Sequence, residues 1–129
     1  MLNRIDFIGK VVSGRGEGKK YLELPWVKQQ ITEKLGFNPF IGTLNLQLDE
    51  ESVKQKKLLV RDAALGVCTS EGYCTGLLFK ASMRGLACGV VVPLVENYPN
   101  DELEVVADVN LRQKLMLHDG DMVEVTVFL

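Results

Sequence analysis

Short segments with the composition and periodicity of β-strands recur along the chain and constrain its fold more than any other feature. The clearest lies near the C-terminus, where Val123, Val125 and Val127 alternate with polar residues, so that one face of the strand would be apolar. Strand-like runs occupy residues 5–12, 42–46, 73–81, 85–92, 103–107 and 122–129. Six strands with glycine at many corners predict a mainly β fold: a small closed or nearly closed six-stranded β-barrel with one or two short helices.

Length and composition place the chain among ordinary globular proteins. Its 129 residues suit one domain, 1–129, and the 47% of hydrophobic and 25% of charged residues are typical of soluble proteins. A net charge of −2 gives no strong attraction to nucleic acid or to an anionic membrane surface. No apolar run reaches the length of a membrane span, and the N-terminus lacks a signal-peptide stretch. We expect a cytoplasmic monomer that binds neither nucleic acid nor membrane.

Cysteine and histidine usage argues against a zinc site. The three cysteines, Cys68, Cys74 and Cys88, are odd in number and form no C-x-x-C motif. Because their neighbours are apolar or small, we expect buried free thiols. The single histidine, His118, lies in a His-Asp-Gly-Asp turn where we expect it to be exposed, and a histidine-based metal site is excluded.

One helix is predicted over Pro25–Leu35. Val27, Ile31 and Leu35 fall on one face of it, proline suits its first turn, and Gly36 suits its C-terminal cap. We interpret this helix as structural. Weaker candidates are a charged turn or short helix over 48–57, an exposed strand or helix edge over 54–61, and a short helix over 110–116.

A glycine-rich segment over residues 13–21 is predicted to be a loop. Gly14, Gly16 and Gly18 alternate with other residues, which leaves backbone N–H groups free to form an anion-binding nest. The cations that would add charge to such a nest are Arg15, Lys19 and Lys20. The pattern is neither a P-loop nor a dinucleotide fingerprint. A flexible hairpin connection with solvated charges is the alternative.

The segment Gly-Thr-Leu-Asn-Leu carries a second chemical signal. Leu44 and Leu46 would point into a core, while Thr43 and Asn45 would share the opposite face of the strand. A hydroxyl and an amide oxygen are hard ligands that Mg²⁺ accepts, but both are neutral, so a bound phosphate would have to supply the missing charge. A half-buried strand with a solvated polar face is the alternative.

An ordered set of short motifs spans nearly the whole chain. They are Val-Val-Ser-Gly-x-Gly-Glu-Gly (11–18), Gly-Phe-x-Pro-Phe-x-Gly-Thr-Leu-Asn-Leu (36–46), Val-Val-Pro (91–93), Glu-Val-Val-Ala (104–107), Leu-Arg (111–112) and Asp-Gly-Asp (119–121). In this order and spacing they resemble the archaeal CTP-dependent riboflavin kinases. The stretch from about residue 54 to residue 72 matches poorly.

The resemblance implies a six-stranded cradle-loop (RIFT-type) barrel that transfers the γ-phosphoryl group of CTP to the 5′-hydroxyl of riboflavin, giving FMN and CDP. Mg²⁺ would be held by Thr43 and Asn45. The flavin would contact Glu96 and Glu104, and Glu104 is the candidate to orient and deprotonate the hydroxyl. The nucleotide would be bound by Gly14, Arg15, Gly16, Glu17, Gly18 and Lys19, and from the opposite side by Val109, Asn110, Leu111 and Arg112.

One position departs from the family pattern. Glu96 stands where the family has a threonine that contacts the flavin, and a carboxylate near a product phosphate would be repulsive. A second class of function also fits the sequence: a non-catalytic nucleotide- or flavin-binding barrel, which would bind its ligand without turnover. The acidic balance argues against binding to duplex DNA.

Overall fold

A computed structural model describes residues 3–14, 17–59, 65–68, 74–94 and 96–129. Their strands are β1 (Arg4–Val12), β2 (Leu44–Leu48), β3 (Leu65–Cys68), β4 (Cys74–Met83), β5 (Leu86–Pro93), β6 (Glu102–Val106) and β7 (Met122–Phe128). Their helices are α1 (Glu17–Glu23), α2 (Pro25–Leu35), α3 (Glu50–Lys56) and α4 (Leu111–Lys114).

The strands confirm the predicted six-stranded barrel. Antiparallel pairing runs in the order β4-β5-β6-β2-β1-β7, and β7 closes the ring by pairing with β4. In that closing contact Ala81 lies opposite Val127, and Ser82 lies opposite Thr126. The short strand β3 was not among the six expected strands; it pairs with Cys74–Leu78 of β4, on the same edge that β7 contacts at Ala81 and Ser82.

The barrel interior follows the alternation seen in the sequence. Val123, Val125 and Val127 are at most 4% exposed, and they join one core cluster with Leu44 and Leu46. The polar residues between them point outward. The predicted separation of Leu44 and Leu46 from the polar face of β2 is therefore confirmed.

A second core cluster lies on the outside of the barrel, under α1 and α2. Val27 and Ile31 of α2 are fully buried and pack with Val91 and Val106, which are the outward-facing residues of β5 and β6. The helix ends as predicted, at Gly36, which adopts φ 80° and donates its N–H to Thr32 O. The two helices thus cover the outer face of the barrel at β5 and β6.

The prediction of one or two helices was wrong, since the described residues contain four. From Glu17 onward, the segment expected to be a glycine loop forms α1 instead. The helix buries its own Leu22 in the second core cluster, and Tyr21 packs against the same cluster. In the 54–61 segment, residues 54–56 continue α3, whose N-cap Asp49 accepts from Ser52 N at 2.7 Å.

Two smaller expectations are met within the described residues. Cys88 is a buried free thiol, and burial raises its pKa to about 12; the side chains of Cys68 and Cys74 lie outside the described part. The side chain of His118 is 83% exposed. Among the described residues, no helix has the length and apolarity needed to cross a membrane.

Candidate active site

Two cavities meet at one wall of the barrel. The first, of about 300 Å³, is the more polar of the two and is lined by residues 12–14, 40, 42–45, 105, 107 and 109–112. The second, of about 440 Å³, is mainly apolar and lies under α1 and α2, lined by residues 18, 21, 22, 24, 26, 43, 75, 91, 93, 98 and 104. We call them the polar cavity and the apolar cavity. Thr43 borders both cavities.

Glu104 lies in this shared wall. Its neighbours Leu103 and Val105 face the barrel interior, so Glu104 points outward, yet only 6% of it is exposed. Thr43 Oγ1 donates to Oε1 at 2.8 Å, and the Tyr98 hydroxyl donates to Oε2 at 2.8 Å. Each carboxylate oxygen is thereby held by a hydroxyl, which defines the orientation of the side chain. Glu104 therefore does not face solvent, although it points out of the barrel.

Asn45 stands beside this pair because of the strand register. It lies opposite Glu104 in the β2–β6 pairing, and its Nδ2 donates to Thr43 O at 3.3 Å. Gly14, just past the end of β1, packs directly against the Asn45 side chain; a Cβ added to Gly14 would lie 2.3 Å from Asn45 Nδ2. Only glycine permits this approach at that position.

Gly18 makes the equivalent close approach from α1. A Cβ there would lie 2.4 Å from both Glu104 Oε1 and Thr43 Oγ1. The first turn of α1 therefore packs closely on the hydrogen-bonded pair. A residue with a Cβ would not fit at this position, which explains why the helix contains a glycine there.

The far wall of the polar cavity is formed by α4. Asn110 caps this helix by accepting from Gln113 N at 3.2 Å. Arg112 Nη2 donates to Asp119 Oδ1 at 2.6 Å, and Ser13 Oγ donates to Asp119 Oδ2 at 2.9 Å. The hydrogen bonds from Arg112 and Ser13 lower the pKa of the Asp119 carboxyl. Asp119 therefore ties the two sides of the cavity together and directs the guanidinium along its rim.

Aromatic side chains characterise the apolar cavity. Tyr21, Trp26 and Tyr98 line it, and the Tyr21 hydroxyl shares a 3.0 Å hydrogen bond with Thr75 Oγ1. Burial raises the pKa of Tyr21, so its phenol is neutral at physiological pH. Flat, mainly apolar walls with a few polar groups suit a planar, partly aromatic ligand.

The structure brings most of the predicted site residues together. Thr43, Asn45, Glu104 and Gly14 meet at one wall, and Val109, Asn110, Leu111 and Arg112 face them across the polar cavity. Gly18 reaches this wall from the side of the apolar cavity.

The other predicted residues lie outside the described part or away from the walls of the two cavities. Arg15 and Gly16 lie outside the described residues, as does the Glu17 side chain, and Lys19 is exposed on α1. Glu96 is exposed in a turn and is not part of the apolar cavity wall, so its contact with a flavin stays a prediction.

Sequence reasoning missed the aromatic residues. Tyr98 carries no predicted role, and Trp26 lies in a helix that we interpret as structural, whereas both line the apolar cavity. The available signal was local: Tyr98 follows Asn97, and asparagine tolerates the left-handed conformation that Asn97 adopts here with a φ of 64°.

The side chains present fit a magnesium ion that arrives with a phosphate. Thr43 and Asn45 offer neutral oxygen ligands at the polar cavity, and the close approach of Gly14 holds the Asn45 amide in place. Among the described residues, no group of three or more His, Cys, Asp or Glu side chains is arranged to hold a metal ion. The ligand itself would have to supply most of the negative charge.

Comparison with known proteins identifies the family. Residues 11–127 match the family model CTP-dep_RFKase, described as a domain of unknown function, DUF120. A riboflavin kinase from Ignicoccus hospitalis is 44% identical over 128 residues, covering 96% of this chain and 72% of the relative. A riboflavin kinase from Pyrobaculum arsenaticum is 43% identical over 132 residues, and one from Archaeoglobus fulgidus is 39% identical over 128 residues. These cover 97% and 94% of this chain, but it spans only 61% and 54% of the length of those two relatives.

Proposed function

The chain belongs to the CTP-dep_RFKase family, and we propose that it is a riboflavin kinase that uses CTP as phosphoryl donor and produces FMN and CDP. The observation that carries the proposal is the Thr43–Glu104 hydrogen bond of 2.8 Å in the wall between a polar and an apolar cavity. A phosphoryl transferase needs its donor and acceptor on either side of one such point.

The polar cavity suits the nucleotide. Its walls come from Gly14 on one side and from Val109–Arg112 on the other. Arg112, aligned by Asp119, supplies a cation at the rim for the phosphates. From the resemblance, Arg15, Gly16, Glu17, Gly18 and Lys19 would complete the nucleotide contacts.

A Mg²⁺ ion bound by Thr43 and Asn45 together with the nucleotide would neutralise phosphate charge as the bond to the leaving group breaks. Because both protein ligands are neutral, we expect the ion to bind measurably only when nucleotide is present. The Thr43 hydroxyl can donate its hydrogen bond to Glu104 and still offer a lone pair to the ion, since a hydroxyl has one donor and two acceptor sites.

The apolar cavity suits the flavin. Tyr21, Trp26 and Tyr98 would contact the ring system, and Glu104 at the inner end would receive the ribityl chain. Glu104 would accept the proton of the 5′-hydroxyl as that oxygen forms its bond to the γ-phosphorus. The bond from the γ-phosphorus to the bridging oxygen breaks at the same step, and CDP leaves with the electron pair.

The test is a turnover assay with riboflavin, Mg²⁺ and each of CTP, UTP, ATP and GTP, with FMN measured by chromatography. FMN formed with CTP supports the proposal, and FMN formed with ATP alone would keep the kinase but contradict the donor. Glu104→Gln should reduce turnover at least about 100-fold, the size typical of losing a positioned general base. Glu124→Gln, an exposed change on β7, is the matched control and should leave turnover unchanged.

Binding without turnover would point to the other class of function. If riboflavin, FMN or CTP bound with micromolar affinity and no FMN or CDP formed with any donor, the chain would be a ligand-binding barrel and the catalytic role of Glu104 would be wrong.

A further inference from the structure

Glu104 is a buried carboxylate whose direct hydrogen bonds come from neutral groups. Only 6% of the residue is exposed, and the hydroxyls of Thr43 and Tyr98 donate to its two carboxylate oxygens. Within the described residues, no lysine, arginine or histidine nitrogen lies within 4.0 Å of its oxygens. Removing a carboxylate from water is costly unless a cation compensates for the lost solvation. Among the described residues, a cation can therefore act on Glu104 only across an intervening group.

Lys56 is such a cation, and it lies over the ring of Tyr98. It lies at the end of α3, and its Nζ is 5.2 Å from the centroid of the Tyr98 ring. The same ammonium donates to Glu102 O at 2.9 Å, which ties the end of α3 to the start of β6. Lys56, Tyr98 and Glu104 are thus linked by two successive contacts, from the ammonium to the aromatic ring and from the Tyr98 hydroxyl to the carboxylate.

The electrostatics of Lys56 are consistent with such a role. Burial lowers the pKa of its ammonium, whereas the negative charges of Asp101, Glu102 and Glu104 act in the opposite direction. An ammonium over the face of a tyrosine withdraws electron density from the ring and strengthens the phenol as a hydrogen-bond donor. The lysines on either side of it, Lys54 and Lys57, are exposed to solvent.

We propose that Lys56 is a positioning residue for catalysis: its ammonium holds Tyr98 so that the phenol orients Glu104, and it balances the carboxylate charge through the ring. The proposal rests on the proposed function, because it assigns Lys56 to the residue that receives the proton. Lys56 itself does not line either cavity and would not touch a substrate.

The experiment compares Lys56→Met, Lys56→Arg and the exposed control Lys54→Met in the full chain. The first removes the charge and keeps most of the aliphatic stem, the second keeps the charge, and the third removes an equal charge from the solvent side of the same helix. Two readouts are needed: kcat and KM for FMN formation, and the ring signals of Tyr98 in ¹³C-tyrosine-labelled protein. The chain has three tyrosines, so a Tyr98→Phe variant assigns the signal.

Lys56→Met should lower kcat about 10-fold, the size of a partly desolvated cation–π contact, with KM for CTP changed less than about 2-fold. It should also shift the Tyr98 signals, whereas Lys56→Arg should restore both readouts and Lys54→Met should change neither. A parental kcat in Lys56→Met would overturn the proposal. So would a lowered kcat with unmoved Tyr98 signals, because Lys56 would then act by another route.

The two proposals fail in different ways. If the parent protein forms no FMN, the proposed function fails, and the Tyr98 signals alone decide whether Lys56 positions the ring. If the parent is active, Glu104→Gln is inactive and Lys56→Met retains parental activity, the function stands and the positioning role is refuted.

Discussion

Substituting Gly18 by alanine tests the central geometry of the site with a single methyl group. The added Cβ would lie 2.4 Å from both Glu104 Oε1 and Thr43 Oγ1, closer than real Cβ contacts come. Thr43 is short and β-branched and has little freedom to move, and Glu104 is held at both oxygens. The methyl group must therefore separate the pair.

The magnitude follows from two opposing terms. Alanine is preferred over glycine in a helix by up to about 1 kcal/mol, which would stabilise α1. Loss of a hydrogen bond to a charged group costs about 1.5–3 kcal/mol. We expect a net loss of about 0.5–2 kcal/mol in the free energy of unfolding. Turnover should fall at least about 100-fold, because the displaced carboxylate no longer faces the hydroxyl.

The assay pairs urea unfolding with FMN formation, and Gly85→Ala is the control. Gly85 has φ 78° in the turn between β4 and β5 and nothing within 4 Å of an added Cβ. Alanine there should cost about 1–2 kcal/mol through backbone strain while leaving turnover intact. If Gly18→Ala stabilised the protein by about 1 kcal/mol and kept parental turnover, helix propensity alone would explain it and the close packing on Glu104 would be refuted.

Three further predictions concern the polar cavity. Gly14→Ala places a Cβ 2.3 Å from Asn45 Nδ2 and should raise KM for CTP at least about 10-fold while sparing riboflavin binding; the reverse ranking in titrations would contradict the assignment of the cavities. Asn45→Ala should abolish FMN formation with Tm unchanged, and full activity would refute its role as a metal ligand. Arg112 and Ser13 lower the pKa of the Asp119 carboxyl in the folded protein below its ordinary value of 3.8. The stability that these contacts contribute is therefore fully present above pH 3.8, and it is lost as the pH falls through the pKa of the folded state. The difference in urea midpoint between the parent and Asp119→Asn should then be constant above about pH 5 and shrink toward zero in stronger acid, and a difference that grew in acid would contradict the contact.

Much of the barrel was predictable because strand periodicity is a local property. Val123, Val125 and Val127 alternate in the sequence and are buried in the structure, and Pro25 and Gly36 bound α2 as their backbone preferences require. The prediction of a loop was wrong at Gly18, which lies in α1, because that prediction also used only local information. A glycine between charged residues indicates a loop when only its neighbours are considered, and the burial of Leu22 that makes α1 helical comes from residues distant in sequence.

The site shows the same division. Thr43 and Asn45 share a face because they are two residues apart in an extended segment, and the sequence alone is enough to predict this. That the face meets Glu104, 61 residues after Thr43, depends on the β2–β6 register. A shift by one residue in that register would turn Glu104 into the barrel interior.

The amino-acid sequence by itself determined the type of fold, the polar face of β2 and the family resemblance, because each depends on short-range patterns of residue type. The tertiary structure alone decided that Tyr98 and Thr43 hold the two oxygens of Glu104, that Gly18 is pressed onto them, and that a polar and an apolar cavity meet at this wall. The pairing of β2 with β6 and the docking of α1 bring these groups together. Those steps depend on the packing of the whole chain, to which each local pattern contributes only a part.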